Sequence, residues 1–142
     1  MDGRLNELFK ARLPHFHFQR VETAGTGLGI PDLNYCARGT EGWLELKAMY
    51  EGWRVPLRPE QCAWHGQRIR AGGIVYTAVR RKVEAGPRRQ ACDDLYLFCG
   101  CKSQTLIISS LIDVTHNGCW HGGPAKWDWT AVGLILTTRC NH

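Results

Sequence analysis

The sequence predicts an α/β fold, a central mixed β-sheet flanked by helices, and three observations carry that expectation. An apolar stripe with helical spacing opens the chain, three runs of two-residue alternation follow it, and a proline-started helix then precedes a β-branched run. With helix, three strands, crossover helix and strand in that order, the last strand is expected to lie parallel to one of the earlier ones. The 142 residues are expected to form one domain, long enough to bury a core without disulfide staples.

The first helix is set by Leu5, Leu8, Phe9 and Leu13, and Pro14 stops the pattern. At about 100° per residue Glu7 falls nearly opposite this stripe. His15 to Val21 alternates, with Phe16 and Phe18 on one face, and Glu22 closes the run. The segment 23–29 is a loop rich in glycine and hydroxyls. It lacks the Lys-Ser/Thr of a phosphate-binding loop and a following helix, which favours a flexible turn.

Gly29 to Cys36 reads as the next strand, with Asp32 and Asn34 on one face and Leu33 and Tyr35 on the other. A turn at Arg38-Gly39-Thr40 leads into Gly42 to Ala48, where Trp43, Glu45 and Lys47 share one face and Leu44 and Leu46 take the other. Ala48 to Leu57 is expected to form an aromatic and basic loop with Tyr50, Trp53 and Arg54, followed by Arg58. Pro59 starts a helix that runs to about Ala71 and ends at Gly72-Gly73, with Gln61, Trp64, His65 and Arg68 along one face. On this helix Gln61 sits where a capping side chain would, and His65 reads as a surface or packing residue.

Ile74 to Val79 reads as an inner strand, followed by the basic cluster Arg80-Arg81-Lys82. Leu95 to Cys99 is a further short strand. Residues 105–112 fit helix or strand, 116–124 read as a loop, and 125–137 as a final helix with Trp127, Val132 and Leu136 packing. Trp120, Trp127 and Trp129 are candidates for an interface or for the core.

With hydrophobic residues at 44% and charged residues at 22%, the composition is that of an ordinary globular protein. No apolar run approaches the roughly 20 residues of a membrane span, and the N-terminus lacks a signal-peptide core, so a soluble, cytoplasmic protein without membrane partners is expected. The formal charge of +5 favours an anionic partner. The seven cysteines are odd in number and scattered, which points to reduced, semi-buried thiols. Cys99, Cys101, His116, Cys119 and His121 are metal-ligand types, but their spacing departs from the usual zinc patterns, and zinc is not expected there.

Two antiparallel strands joined by the short turn can set Asp32 beside Glu45. Paired carboxylates repel unless a cation sits between them, and hard oxygen ligands suit Mg²⁺ or Mn²⁺. Such an ion polarises a phosphoryl oxygen and lowers the pKa of a bound water, while Lys47 can orient that water or stabilise developing charge, a grouping suited to phosphodiester hydrolysis. The competing reading of Glu45 and Lys47 is a solvated same-face ion pair, worth only about 0.2 to 1 kcal/mol.

The runs GIPDLNYC, EGWLELKA, LRPEQCAWH and AGGIVYTAV resemble the PD-(D/E)xK nuclease superfamily, and more closely its VRR-NUC branch and similar small phage-encoded nucleases. The resemblance covers about residues 5–83 and leaves about 94–142 as a C-terminal extension. It implies a restriction-endonuclease-like core and a Mg²⁺- or Mn²⁺-dependent DNA endonuclease, structure-selective for Holliday junctions or flaps and acting as a homodimer. Carried over by position, it implies Asp32 and Glu45 as metal ligands, Lys47 as the residue assisting the water, and Gln61 as support. A glutamate of the first helix completes the site in that family, which offers Glu7, with Glu22 as the alternative. Arg20, Arg54, Arg58, Arg68, Arg80, Arg81 and Lys82 are the candidate DNA contacts. Two other functions remain open from the residues: a non-catalytic nucleic-acid-binding module, and a restriction-type nuclease acting on linear duplex.

Overall fold

The structure, a computed structural model, describes residues 2–22 and 29–141. The expected glycine-rich loop therefore lies almost wholly outside the described residues. Helix α1 (Leu5–Arg12) precedes an antiparallel meander of β1 (His17–Arg20), β2 (Leu33–Ala37) and β3 (Thr40–Met49). Helix α2 (Pro59–Arg70) then crosses over to β4 (Val75–Val83), and β5 (Cys92–Cys99) returns beside it. Helix α3 (Ser103–Ile108), β6 (Gly118–Trp120) and α4 (Trp129–Leu136) complete the order.

The six strands lie in one sheet in sequence order. The pairing of β3 with β4 is parallel, as the crossover helix requires, and every other pairing is antiparallel. The expected mixed α/β sheet is therefore present, and the region 94–142 extends the same sheet through β5 and β6 rather than standing apart.

Alternating side chains build a core on each face. One face joins Leu5 and Phe9 of α1 to Leu33, Tyr35, Leu44, Leu46, Tyr76 and Leu97 of the sheet and to Val132 and Leu136 of α4. The other gathers Met49, Val79, Tyr96 and Phe98 under Cys62 of α2 and Leu106 of α3. The site strand β3 is thus covered on both sides, which holds its backbone rigidly.

Two expectations change and one open alternative closes. The segment 116–124 contains the short edge strand β6, paired with Leu95 to Leu97, rather than loop alone. Of the two alternatives for the tryptophans the core is met: Trp127 is 3% exposed, and Trp120 and Trp129 pack partly buried against the same core. The basic cluster after Val79 does not leave the sheet: Arg80 and Arg81 continue β4. Arg80 forms a two-point ion pair with Asp93 (2.9 and 2.7 Å) and donates to the Gly3 carbonyl. Arg81, 8% exposed, donates to the Gly52 carbonyl and stacks over Trp53 at 3.5 Å.

Candidate active site

The register of the first hairpin places the acids. Leu33 pairs with Leu44, so the residue before one and the residue after the other, Asp32 and Glu45, fall side by side at the mouth of the hairpin. The Leu46 N–H donates to Asp32 Oδ2 (2.8 Å), which fixes that carboxylate against β3. Gly29, three residues earlier, has φ +84°, and a Cβ there would lie 2.0 Å from the Glu60 carbonyl oxygen. Only glycine lets the chain pass this close to the start of α2 before entering Pro31-Asp32.

Glu45 is 2% exposed. Its Oε2 accepts from Gln61 Nε2 (3.2 Å) and lies 3.6 Å from Lys47 Nζ, while Oε1 is buried and has no hydrogen-bond partner among the described residues. The Gln61 amide also caps its own helix, because the Arg58 N–H donates to Gln61 Oε1 (2.9 Å). Capping and support of the glutamate are one function here. With Oε1 held by the backbone, the amide can present only its donor to Glu45.

Burial, followed by the adjacent Asp32 carboxylate, pushes the Glu45 carboxyl up from its ordinary range to about 8, against the pull of Lys47. Two facing acceptors in a buried place need either a proton or a cation between them. The orphaned Oε1 therefore fits a site for a hard cation, with Asp32 and Glu45 as oxygen ligands.

These groups open into a cleft of about 860 Å³, lined by Asp2, Asn6, Glu7, Arg20, Asp32, Glu45, Lys47, Tyr50, Arg58 and Gln61 among others. Glu7 stands on its rim, exposed, and does not form a close three-acid group with Asp32 and Glu45 among the described residues. Glu22 is 85% exposed, pairs with Arg20 at 3.5 Å and is not part of the lining. The first-helix group that sequence reasoning missed is Asn6, a residue of the same cleft lining whose buried Oδ1 has no hydrogen-bond partner among the described residues. The helical stripe held the signal: Asn6 lies about 100° from Leu5, on the flank of the buried face, whereas Glu7 lies about 200° away.

Of the basic candidates, Arg20 and Arg58 line the cleft, Arg54 and Lys82 are exposed, and Arg68 sits over the rings of Trp43 and Trp64 at 5.1 and 4.8 Å. Arg80 and Arg81 are committed to the internal contacts described above. His65 is fully buried beside Ser103 (Nδ1 to Oγ 2.7 Å). Burial, aided by Lys47, lowers its pKa to about 4, so it is a neutral packing residue rather than a surface one.

The ligand-type residues of the C-terminal part divide into separate places. Cys99 and Cys101 meet Cys140, while His121 pairs with Asp94 (2.9 Å) and approaches Cys119 (3.8 Å), and His116 lies against Tyr96. No disulfide joins the cysteines among the described residues, and no described helix is long and apolar enough to cross a membrane. Comparison with known proteins returned no match to a family model and no curated protein of similar sequence.

Proposed function

We propose that this chain is a Mg²⁺- or Mn²⁺-dependent DNA endonuclease that hydrolyses phosphodiester bonds, with branched DNA as its substrate class. The observation that carries the reading is the buried Glu45 carboxylate beside Asp32 at an open cleft, its Oε1 without a hydrogen-bond partner among the described residues and Lys47 beside it. Mg²⁺ or Mn²⁺, when bound, polarises the phosphoryl group and acidifies a water. Asp32 and Glu45 would hold the ion, and the Asn6 amide oxygen is a further neutral ligand in reach of the same cleft. Lys47 supplies a fixed positive charge for the attacking water or the developing phosphorane charge. Gln61 holds the Glu45 carboxylate in place, while Arg20 and Arg58 on the cleft wall offer contacts to the phosphate backbone.

The resemblance of the Gly29–Lys47 region to the PD-(D/E)xK nucleases supports the same assignment. A homodimer is part of the proposal, since symmetric cutting of a four-way junction needs two clefts. With Arg80 and Arg81 engaged internally, the basic surface left for a purely binding module is smaller than the sequence suggested.

The test is cleavage of a labelled four-way junction and a matched linear duplex in Mg²⁺ or Mn²⁺ by the wild type and Lys47→Ala. The junction is expected to be cut in preference, with the variant slower by on the order of 10²-fold or more, as for loss of a charge-stabilising group. Binding of both substrates without cleavage of either would remove the enzymatic reading and leave a nucleic-acid-binding module. Equal cleavage of linear duplex would replace junction selectivity with a restriction-type activity.

A further inference from the structure

The C-terminal tail brings together three sulfurs that are distant in sequence. Cys99 ends β5, Cys101 lies in the 3-10 turn Gly100–Lys102, and Cys140 follows α4. Their Sγ atoms all lie within 4.8 Å of one another, with Cys101 and Cys140 4.0 Å apart. Around a tetrahedral Zn²⁺ with Zn–S bonds of about 2.3 Å, neighbouring sulfurs stand about 3.8 Å apart, so small side-chain adjustments give that geometry.

The surroundings are built for sulfur as an acceptor. The Cys101 N–H donates to Cys99 Sγ (3.4 Å), and Asn117 Nδ2 donates to Cys140 Sγ (3.5 Å). Asn117 cannot turn its amide around, because its Oδ1 already accepts from the Cys99 N–H (2.8 Å) and from Lys102 Nζ (3.0 Å). Donors of this kind around metal-bound thiolates orient the ligands and tune their charge. Lys102 adds a positive charge beside a group that would carry three thiolates and one divalent ion.

The tail that delivers Cys140 is also held: Tyr76 Oη donates to the Thr138 carbonyl (2.8 Å), and Arg139 donates to the Gly72 carbonyl. A cavity of about 50 Å³, lined by Cys99, Cys140, Arg139 and Tyr76 among others, adjoins the sulfurs. It is large enough for a water molecule as the fourth ligand.

We propose that Cys99, Cys101 and Cys140 form a binding site for a thiophilic divalent ion of the Zn²⁺ class, separate from the carboxylate cleft, which ties the C-terminal tail to the end of β5. The spacing of Cys99, Cys101, His116, Cys119 and His121 gives no expectation of zinc, and only two of those residues belong to this cluster. The third sulfur comes from a residue about 40 positions further on, outside any local spacing rule.

The test uses Co²⁺ as a spectroscopic probe, added anaerobically to the full chain with a reductant present. One thiolate-bound Co²⁺ per chain is expected, with a thiolate-to-metal charge-transfer band and the d–d bands of a tetrahedral site. Carboxylates give no such charge-transfer band, so the cleft cannot mimic the signal. Cys140→Ser and Cys101→Ser should each weaken Co²⁺ binding by at least about 10-fold, the loss that removing even a hydrogen-bond partner of a ligand produces. Cys119→Ser should leave the spectrum unchanged. If Cys140→Ser fails to fold, the exposed Cys101 position decides. Absence of the band in folded wild type, its persistence in Cys101→Ser, or a Cys101–Cys140 disulfide found by peptide mapping of the reduced preparation would overturn the site.

Discussion

Replacing Glu45 by glutamine should make the protein more stable and inactive at once. The carboxyl is 2% exposed and titrates near 8 because burial and Asp32 disfavour its charge. In the unfolded chain it titrates near 4.5. Because the folded value is raised, the stability associated with the protonated carboxyl is fully present below the unfolded value and is lost as pH rises through about 8. At about 1.36 kcal/mol per pH unit the loss amounts to roughly 3 kcal/mol by pH 7. Glutamine keeps an acceptor for Gln61 Nε2, never ionises, and can donate to Asp32. The variant should therefore exceed the wild type by about 2–3 kcal/mol at pH 7 in urea titrations with EDTA present, and by little at pH 4.5. Cleavage should fall to background, since a neutral amide is a poor ligand for a hard cation. Equal stability of the two proteins at pH 7 would show that Glu45 is not penalised by burial. Full activity of the variant would remove it from the chemistry.

Two further outcomes follow from the same geometry. Binding of Mg²⁺ or Mn²⁺ must displace the proton on Glu45, so its Kd, measured calorimetrically, should tighten by about 10-fold per pH unit from pH 6 and level off near 8, whereas a pH-independent Kd would place the ion elsewhere. Gly29→Ala meets the Glu60 carbonyl at 2.0 Å in a backbone conformation with φ +84°, and should cost about 2–4 kcal/mol in urea unfolding while lowering cleavage by displacing α2 and Gln61; an unchanged midpoint would refute the close approach.

The hairpin that carries Asp32 and Glu45 was legible in the sequence because every signal for it is local. Two-residue alternation fixes the faces, and the Arg38-Gly39 turn, with φ of +51° and +81°, fixes the register. The parallel return of β4 followed from the length and proline start of α2. What escaped depends on partners far away in the chain. Arg80 and Arg81 read as surface charge because their acceptors, Asp93 and the Gly52 and Gly3 carbonyls, arrive from other segments. Strand β6 has only three residues among glycines and histidines, too few for an alternation. Asn6 was passed over because a neutral amide carries no signature of its own. The thiol cluster had no local signature because Cys140 meets Cys99 and Cys101 only after α4 has packed.

The last helix and tail also act on the hairpin from below. Tyr35, fully buried on β2, donates its phenol to the Leu136 carbonyl, and Tyr76 on β4 donates to that of Thr138. A nascent chain lacking residues 136–138 would have to bury two phenols without acceptors, at about 1–3 kcal/mol each, directly beneath the strands that carry the acids. The sheet can thus settle only once residues 136–138 are in place. A chain cut before residue 136 would be left open to proteolysis before its cleft could take shape.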